Sequence, residues 1–377
     1  MPSSDRPAGP EALSILREAI AGVDRALLEL LRRRLDLAAE VGRVKAESGA
    51  PVVVRDIEDR VLERARRHAA ACGVSESVME GVFQAIIRGA VERQYRVGVD
   101  LREARGGRVL VVGGAGGMGG WLRGFLELVG HGVELLDPAF ATLPPATGRY
   151  ADLDALEAAT DLDGYDALIV SVPLARTGEA IAQLAARRPR GTIVEISSIK
   201  APAAGALSAA RAAGAAAIAL HPMFGPSKSL YEPMTFVLAA QGDPDAERAA
   251  LARLLAHPYV KLVTVPFLHH DRLMGWLLGL AHLSNLLFGV ALSRSGVAPE
   301  ELAACASTTF TRQSATALSV LAEDPDLYLD IQHLNPHRNE VYAATLEALG
   351  ELETLTAGRD REGFRAAMAK ARKALVG

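Results

Sequence analysis

The stretch Arg108-Val-Leu-Val-Val-Gly-Gly-Ala-Gly-Gly-Met-Gly-Gly-Trp121 decides the fold of the central part of the chain. It opens with a short β-rich run bounded by glycines, which is typical of a buried strand in a parallel sheet. Gly114, Gly116 and Gly119 then satisfy the pattern G-x-G-x-x-G, and a helix is predicted to begin near Trp121. Glycines permit a tight turn and let backbone N–H groups approach a pyrophosphate, whose charge the helix N-terminus favours. We therefore predict a strand, turn and helix that bind a dinucleotide.

An acidic residue follows at the position where a dinucleotide-binding unit needs one. The next strand-like run, Val133 to Leu136, ends at Asp137. A carboxylate at this point can accept hydrogen bonds from the adenosine ribose hydroxyls, and it repels a 2′-phosphate. No Arg or Lys closely follows Asp137. The sequence therefore predicts NAD as the cofactor in preference to NADP.

Strand-like and helical patterns alternate beyond this point, which predicts a doubly wound α/β sheet. The further strand-like runs are Ala167 to Val172, Thr192 to Ile196, Ala216 to Leu220, Thr235 to Ala239 and Lys261 to Val265. After Pro266 the pattern is helical, with breaks near Gly296-Val-Ala-Pro299, Asp324-Pro325 and Gly358. We predict a Rossmann-type nucleotide domain over residues 103–266 and an all-α domain over residues 267–377.

The chain before this sheet is predicted to be all helical over residues 1–102. Apolar residues recur every three or four positions from Leu13 to Val44, which predicts one helix of roughly 35 residues and about 50 Å. A single small domain cannot cover that length, so we expect the helix to pack against a partner chain or a long hairpin. Two shorter helices are predicted at Ile57 to Ala71 and Glu76 to Tyr95, separated at Cys72-Gly73.

Composition excludes several classes of protein. The 377 residues carry 41 Lys and Arg against 45 Asp and Glu, a net charge of −4, so binding to nucleic acid or a membrane surface through a basic field is not expected. Half of the residues are hydrophobic, which excludes intrinsic disorder. Cys72 and Cys305 lie far apart and predict neither disulfides nor zinc, which favours the cytoplasm. The apolar run Trp276 to Ser293 contains His282 and is predicted to be a buried helix of a soluble protein.

Three short sequence motifs at the ends of predicted strands together resemble the prephenate dehydrogenase family. They are Val170-Ser-Val-Pro173, Ser197-Ser-Ile-Lys200 and His221-Pro-Met-Phe-Gly-Pro226, the last at the carboxyl end of a strand, where open sheets bind ligands. Thr308-Thr-Phe-Thr-Arg312 resembles the substrate-arginine segment of that family. The resemblance implies that a neutral His221 accepts the substrate hydroxyl proton and that Arg312 clamps a carboxylate. It implies that Ser198 orients His221 or bridges it to the nicotinamide and substrate. His282 on the apolar helix is either a further substrate contact or a hydrogen-bonded core histidine, and both interpretations stay open. The residues expected at the cofactor are Gly114, Gly116, Met118, Gly119, Asp137, Ser171 and Pro173.

The N-terminal segment resembles the all-helical class of chorismate mutase. The matching words include Leu16-Arg-Glu-Ala-Ile20, Val41-Gly42, Leu62-Glu-Arg64 and Phe83-Gln-Ala-Ile-Ile87, with no gap in spacing. The resemblance implies Lys45 and Gln94 as donors to the ether oxygen, Arg34 as a carboxylate ligand, Arg17 as an arginine that contacts the substrate, and Glu58 as the acceptor for the ring hydroxyl. The sequence departs from the family at Val54, Ile57 and Ala90.

Spacing along the long helix adds an expectation about assembly. Lys45 lies about 16 Å beyond Arg34 on nearly the same face, within reach of one small dianion. Arg17 lies about 25 Å before Arg34 and on another face, so the two guanidinium groups cannot meet in one chain. We therefore predict a homodimer in which an antiparallel second helix brings Arg17 of one subunit to Arg34 of the other.

The combined resemblance implies a bifunctional enzyme of tyrosine biosynthesis. It would rearrange chorismate to prephenate and then use NAD to decarboxylate prephenate oxidatively to 4-hydroxyphenylpyruvate. Two alternatives stay open: the dehydrogenase acts on arogenate, the amino analogue, or the helical front end is only a dimerisation or tyrosine-sensing module. Tyrosine is accordingly a candidate feedback ligand. His269-His270-Asp271 has the composition of a metal site but lacks a further ligand word, so we predict a helix start there and no metal.

Overall fold

The computed structural model describes residues 10–48, 50, 55–101, 106–144, 146–257 and 259–376. An all-α segment, an α/β segment and a second all-α segment follow one another, which confirms the predicted fold class. The helices are α1 (Pro10–Ser48), α2 (Arg55–Cys72), α3 (Glu76–Leu101), α4 (Gly117–Val129), α5 (Leu153–Ala159), α6 (Thr177–Ala186), α7 (Ala201–Ala212), α8 (Pro244–Leu254), α9 (Phe267–Met274), α10 (Ala281–Ser293), α11 (Pro299–Ala304), α12 (Thr308–Leu321), α13 (Pro325–His333), α14 (Arg338–Ala357) and α15 (Arg361–Val376). The strands are β1 (Arg108–Val112), β2 (Gly132–Leu136), β3 (Arg149–Tyr150), β4 (Ala167–Val170), β5 (Thr192–Glu195), β6 (Ala217–Pro222), β7 (Met234–Ala240) and β8 (Val260–Pro266).

The strands form one sheet in the order β3-β2-β1-β4-β5-β6-β7-β8. Neighbours from β3 to β6 are parallel, β7 runs antiparallel to β6, and β8 is parallel to β7. Every strand predicted from an apolar run is present. β3 was not predicted, because a two-residue strand leaves no apolar run. The antiparallel direction of β7 was not predicted either, because local pattern carries no information on strand direction.

The sheet is buried on both faces, as its continuous apolar runs require. Val109 and Val111 of β1 pack on one face with Phe125 of α4. Leu110 lies on the opposite face, in a cluster that includes Ile181 of α6. Side chains that alternate along one strand thus enter two separate cores, and this fixes the register of the sheet.

The N-terminal domain consists of α1, α2 and α3, and its predicted single long helix is confirmed. α1 and α3 cross so closely that a Cβ on Gly42 would lie 2.8 Å from the Cα of Gln94. The apolar face of α1 stays largely uncovered by its own chain. Its exposed members are Leu13, Leu16, Ile20, Val23, Leu27, Leu37, Val41 and Val44.

In the C-terminal domain, helices end or begin at each predicted break. The prediction of a buried helix over Trp276 to Ser293 is wrong for the single chain, because Leu277, Leu287 and Val290 are each about half exposed. Composition identifies an apolar helix but cannot tell whether the same chain or another molecule covers it. By length and composition alone, the helical run Phe267–Ser293 could cross a membrane.

Candidate active sites

The glycine loop after β1 is built by close backbone packing. Gly113 has φ of +86°, a left-handed conformation that favours glycine. A Cβ on Gly119 would lie 2.3 Å from the carbonyl oxygen of Gly113, so α4 can start directly against the strand only with glycine there. A Cβ on Gly116, by contrast, would meet no atom closer than 3.5 Å, which leaves its backbone open to a ligand. α4 begins at Gly117, four residues earlier than the predicted start at Trp121.

Asp137 joins this loop to the end of β2. Its Oδ2 accepts a hydrogen bond from the Ala115 N–H at 3.1 Å, and its Oδ1 accepts one from the Ala139 N–H at 2.9 Å. An ionised carboxylate has further lone pairs for ribose hydroxyls, so these two bonds orient it without saturating it. The open Gly116 backbone, the start of α4 and the held carboxylate together fit a dinucleotide.

A cleft of about 480 Å³ runs along the carboxyl ends of β1, β4, β5 and β6. α13 of the C-terminal domain contributes to its wall through Asp324, Asp326 and Asp330. The structure brings five of the predicted site residues together here. They are Gly116, Met118, Ser171, Pro173 and Ser198.

The two adjacent serines after β5 have different surroundings. The Oγ of Ser197 lies 2.5 Å from Oε2 of Glu195 and 2.8 Å from the carbonyl oxygen of Ile199, so it stabilises the turn. Ser198 lines the cleft, and within the described ranges its hydroxyl makes no hydrogen bond to protein. Of the two hydroxyls, that of Ser198 is therefore the one available to a ligand.

His221 lies buried on β6 at the start of a hydrogen-bonded chain. Its Nδ1 is 3.2 Å from Nε2 of His270, and Nδ1 of His270 is 2.8 Å from Oδ1 of Asp271. The Asp271 carboxylate also accepts the backbone N–H groups of Lys200 at 2.7 Å and Ala201 at 2.8 Å, at the start of α7. These donors stabilise the ionised carboxylate and, with His270, lower the pKa of Asp271 despite its burial.

This chain assigns the proton positions on both imidazoles. An ionised Asp271 accepts, so Nδ1 of His270 carries a hydrogen and its Nε2 is the acceptor. Nδ1 of His221 must then donate, which leaves Nε2 of His221 without a proton. Burial, the Lys200 charge and His270 lower the pKa of His221 well below its usual 6.5, so the ring is neutral near pH 7. Nε2 of His221 is therefore able to accept a proton.

A buried ion pair holds the same strand ends together. Nζ of Lys200 lies 2.6 Å from Oε1 of Glu195, at the end of β5. It also donates to the carbonyl oxygens of Ser197 at 2.7 Å and Leu220 at 2.8 Å. Because Leu220 immediately precedes His221, the ammonium group fixes the backbone that carries the imidazole.

His270 and Asp271 are the functional residues that sequence reasoning missed. The predicted helix start is confirmed, since α9 begins at Phe267. No group of three or more His, Cys, Asp or Glu side chains in the described ranges could hold a metal ion. The His-His-Asp composition at residues 269–271 was the signal in the sequence that could have indicated them. It did not indicate the contact between His270 and His221, because these residues are 49 positions apart in the chain.

Two predicted substrate residues of the C-terminal domain have different placements. His282 on α10 packs its ring 4.4 Å from that of Tyr328 on α13, the helix that contributes to the cleft wall. Its Nδ1 is buried without a hydrogen-bond partner in the described ranges. Arg312 lies exposed on α12 and does not line the cleft of this single chain. The geometry therefore associates His282 with the cleft more directly than Arg312.

The N-terminal domain groups several of its predicted residues. Burial and the neighbouring charge of Arg64 lower the pKa of Arg34, so two guanidinium groups lie near each other. Burial also lowers the pKa of Lys45, and Glu58 opposes that shift. Arg64 belongs to the motif Leu62-Glu-Arg64, but no role was predicted for it. The domain thus places Arg34 beside Arg64 and Lys45 within electrostatic range of Glu58, and such cations can attract a dianion.

The other predicted residues of this domain differ in their burial. Oε1 of Gln94 is buried with no hydrogen-bond partner in the described ranges. Arg17 is exposed, far along α1 from the other cations of the group. Among the departures, Ile57 is exposed and Ala90 is buried, whereas Val54 lies outside the described residues.

Comparison with protein families divides the chain into three matched segments. Residues 16–95 match the model of chorismate mutase type II. Residues 149–263 match the nucleotide-binding domain of prephenate dehydrogenase, and residues 268–370 match its dimerization domain.

Individual relatives cover most of the chain. The T-protein of Enterobacter agglomerans is 29% identical over 352 residues, 93% of this chain and 90% of that protein. The 4-amino-4-deoxyprephenate dehydrogenase of Streptomyces pristinaespiralis is 31% identical over 274 residues, 71% of this chain and 91% of that protein. The crystal structure of prephenate dehydrogenase from A. aeolicus with hydroxyphenyl propionate and NAD+ has a TM-score of 0.58 at 18% identity, covering 72% of this chain and 98% of that one.

Proposed function

Since the chain belongs to the family of bifunctional chorismate mutase/prephenate dehydrogenases, we propose that it rearranges chorismate to prephenate and then oxidises prephenate with NAD. The observation that carries the dehydrogenase half is the hydrogen-bonded chain from Asp271 through His270 to His221. It leaves one unprotonated imidazole nitrogen on β6, at the sheet edge where the glycine loop and Ser198 line the cleft.

In the dehydrogenase reaction, His221 accepts the proton of the ring hydroxyl. NAD, when bound, accepts the hydride from the carbon that carries this hydroxyl, and carbon dioxide leaves as the ring becomes aromatic. His270 and Asp271 hold His221 in the tautomer that can accept the proton, and the negative charge of Asp271, relayed through the hydrogen bond of the neutral His270, stabilises the imidazolium that results. Ser198 offers a hydroxyl to the cleft, next to the strand end that carries His221. Arg312 remains our proposed ligand for a substrate carboxylate.

The mutase half needs no base or nucleophile, because its reaction is a unimolecular rearrangement of a dianion. Arg34 and Arg64 attract the carboxylates, while Lys45 and Gln94 stabilise the charge that grows on the ether oxygen. Glu58 accepts a hydrogen bond from the ring hydroxyl. Gln94 would use its amide N–H for this bond, and its buried Oε1, which has no partner in the described ranges, is costly unless a ligand donor satisfies it.

The most direct test gives the purified chain chorismate or prephenate, each with and without NAD. Loss of chorismate and formation of NADH are followed separately. We expect chorismate loss without NAD and NADH formation from prephenate. If the protein forms NADH from prephenate but leaves chorismate unchanged, the N-terminal domain is only a dimerisation or tyrosine-sensing module.

Cofactor choice gives a first quantitative prediction. Asp137 faces the glycine loop through Ala115, and its charge opposes a 2′-phosphate at this position. We expect kcat/KM to be at least about tenfold higher with NAD than with NADP, equivalent to about 1.4 kcal/mol. Initial rates of NADH and NADPH formation at saturating prephenate and varied cofactor measure this ratio. Equal use of the two cofactors would contradict the role of Asp137.

His270 gives a second prediction, as a positioning residue for His221. In His270→Leu, Nδ1 of His221 loses its acceptor and the productive tautomer is no longer fixed, so kcat of the dehydrogenase should fall about tenfold. The KM for prephenate should change little. His270→Gln restores an acceptor and should recover most of the lost rate.

The matched control is His269→Asn, because His269 is the exposed neighbour on the same helix. It should leave kcat unchanged. If His270→Leu and His269→Asn behave alike at equal thermal stability, the hydrogen-bonded chain has no part in catalysis.

We also propose that the working unit is a homodimer in the cytoplasm. The uncovered apolar face of α1 and the half-exposed Leu287 and Val290 of α10 support association, because monomers rarely expose apolar surfaces of this extent. The hydrogen bond from Gln313 of α12 to Asn285 of α10 at 3.1 Å supports a packed helical domain instead of a membrane span. Tyrosine remains a candidate feedback ligand.

A second candidate substrate class is an analogue that carries an amino group. Asp324, Asp326 and Asp330 line the cleft, and no Lys or Arg is among its lining residues in the described ranges, which favours a cationic substituent. A relative at 31% identity is named a 4-amino-4-deoxyprephenate dehydrogenase. Arogenate carries its amino group on the side chain. Comparing kcat/KM for prephenate, arogenate and 4-amino-4-deoxyprephenate separates these substrates directly.

A further inference from the structure

The dehydrogenase and mutase domains share an apolar contact that fixes their relative placement. Val91 and Tyr95 of α3 are buried against Leu128 of α4. The ring of Tyr95 stacks on that of His257, with 4.9 Å between centroids. Burial lowers the pKa of His257 to about 4, so this imidazole is neutral near pH 7 and packs as an uncharged ring.

Polar contacts also cross the same interface, and one of them reaches Glu58. The phenol of Tyr259 donates a hydrogen bond to Oε1 of Glu58, 3.2 Å away and 201 positions earlier in the chain. Tyr259 lies immediately before β8, and its carbonyl oxygen accepts the N–H of Met234 on β7 at 2.8 Å. The phenol is therefore anchored to the dehydrogenase sheet, while the carboxylate it contacts belongs to α2 of the mutase domain.

Glu58 is the acidic member of the proposed mutase site. Its charge opposes the effect of burial on the pKa of Lys45, so it lies within electrostatic range of that ammonium group. Gln94, whose Oε1 is buried, adjoins Tyr95 in sequence and so links the site to the domain contact. A carboxylate has two oxygens, and the bond from Tyr259 engages one of them.

We propose that Tyr259 is a positioning residue of the mutase site, supplied by the dehydrogenase domain. It fixes the Glu58 carboxylate through Oε1 and presents the other oxygen to the ring hydroxyl of chorismate. This inference rests on the proposed mutase function. The rearrangement of chorismate then depends on a side chain from the dehydrogenase domain, although that domain does not bind chorismate.

The test compares Tyr259→Phe with Tyr231→Phe in the full-length chain. Tyr231 lies in the same apolar contact, 6.2 Å from the ring of Tyr95, and its hydroxyl pairs with Arg96 and not with Glu58. We expect Tyr259→Phe to lower mutase kcat/KM about tenfold, because a hydrogen bond to a charged group is lost. Most of the change should appear in the KM for chorismate. Tyr231→Phe should leave the mutase unchanged, and both variants should keep wild-type dehydrogenase kinetics.

A double-mutant cycle with Glu58→Gln separates positioning from a general structural effect. If Tyr259 acts through Glu58, removing its hydroxyl in the Glu58→Gln background should cost less than about twofold. An undiminished loss in that background, or equal mutase activity in Tyr259→Phe and the wild type, would overturn the inference and leave the proposed function intact. A wild-type chain that does not consume chorismate would overturn the mutase function itself, and this inference with it.

Discussion

Replacing His221 by Asn should lower kcat of the dehydrogenase by about 10² or more and leave the KM for prephenate nearly unchanged. The imidazole acts in the chemical step, whereas the glycine loop and the cleft walls that bind the ligands stay in place. Asn can still donate to Nε2 of His270 through its amide, so the buried chain retains a polar partner. The measurement is the rate of NADH formation at saturating prephenate and NAD.

The mutase activity of the same protein is the internal control for folding. His221 is 3% exposed, and a damaged β6 would disturb the sheet that supports the N-terminal domain. Unchanged chorismate turnover with lost NADH formation therefore assigns the defect to the dehydrogenase site. Normal kcat in His221→Asn near pH 7 would show that His221 is structural.

The pH dependence of the wild type follows from the same residue. Only neutral His221 can accept a proton, and its pKa is lowered below the usual 6.5. Dehydrogenase kcat should consequently stay level as the pH falls through 6.5 and decline only at more acid pH. The stability contribution has the matching sign: the unfolded chain binds this proton more readily, so stability is complete above pH 6.5 and decreases below it.

Much of the fold could be predicted because its decisive signals are local. The run Arg108–Val112 followed by glycines predicted β1 and its turn. The three-to-four spacing from Leu13 to Val44 predicted α1 as one helix, which extends a few residues further at each end. The start of α4 was misplaced because glycine is a poor helix former, whereas the close approach of Gly119 to Gly113 requires it there. Burial of α10 was wrongly predicted because hydrophobicity does not identify the molecule that covers a helix.

The candidate sites were predictable only where one short segment carries them. His221 lies near the carboxyl end of β6 and Ser198 follows β5, and strand ends in an open sheet are where ligands bind. His270 contacts His221, 49 positions earlier in the chain, and Asp271 contacts the backbone 70 and 71 positions earlier. Tyr259 contacts Glu58, 201 positions earlier. No periodicity or spacing reports such contacts, because they are set by the packing of α9 and β8 against other elements.

Mixing two inactive mutase variants should restore activity, and this is the largest gain that the proposed assembly predicts. Arg17→Ala and Arg34→Ala each remove a carboxylate ligand, and each homodimer should lack measurable chorismate turnover. Arg17 and Arg34 lie about 25 Å apart along α1, so one chain cannot bring both to a single dianion. In a heterodimer, one of the two sites receives Arg34 from one subunit and Arg17 from the other, both intact.

The uncovered face of α1 is the physical basis of this expectation. Leu16, Ile20 and Leu27 are each about 60% exposed in the single chain, next to the exposed Arg17. An antiparallel second copy buries this face and carries Arg17 toward the opposite end of its partner. Co-expressed subunits with different affinity tags allow the heterodimer to be purified, and its chorismate turnover should approach half of the wild-type value.

The dehydrogenase provides the control for this experiment, because all of its proposed residues lie after Gly106. Both parent variants and the heterodimer should form NADH from prephenate at the wild-type rate. A verified heterodimer without mutase activity would rule out the shared site, as would full mutase activity in a monomeric truncation. Restored activity would instead require that two copies of α1 lie side by side, because no single chain can place Arg17 and Arg34 on one substrate.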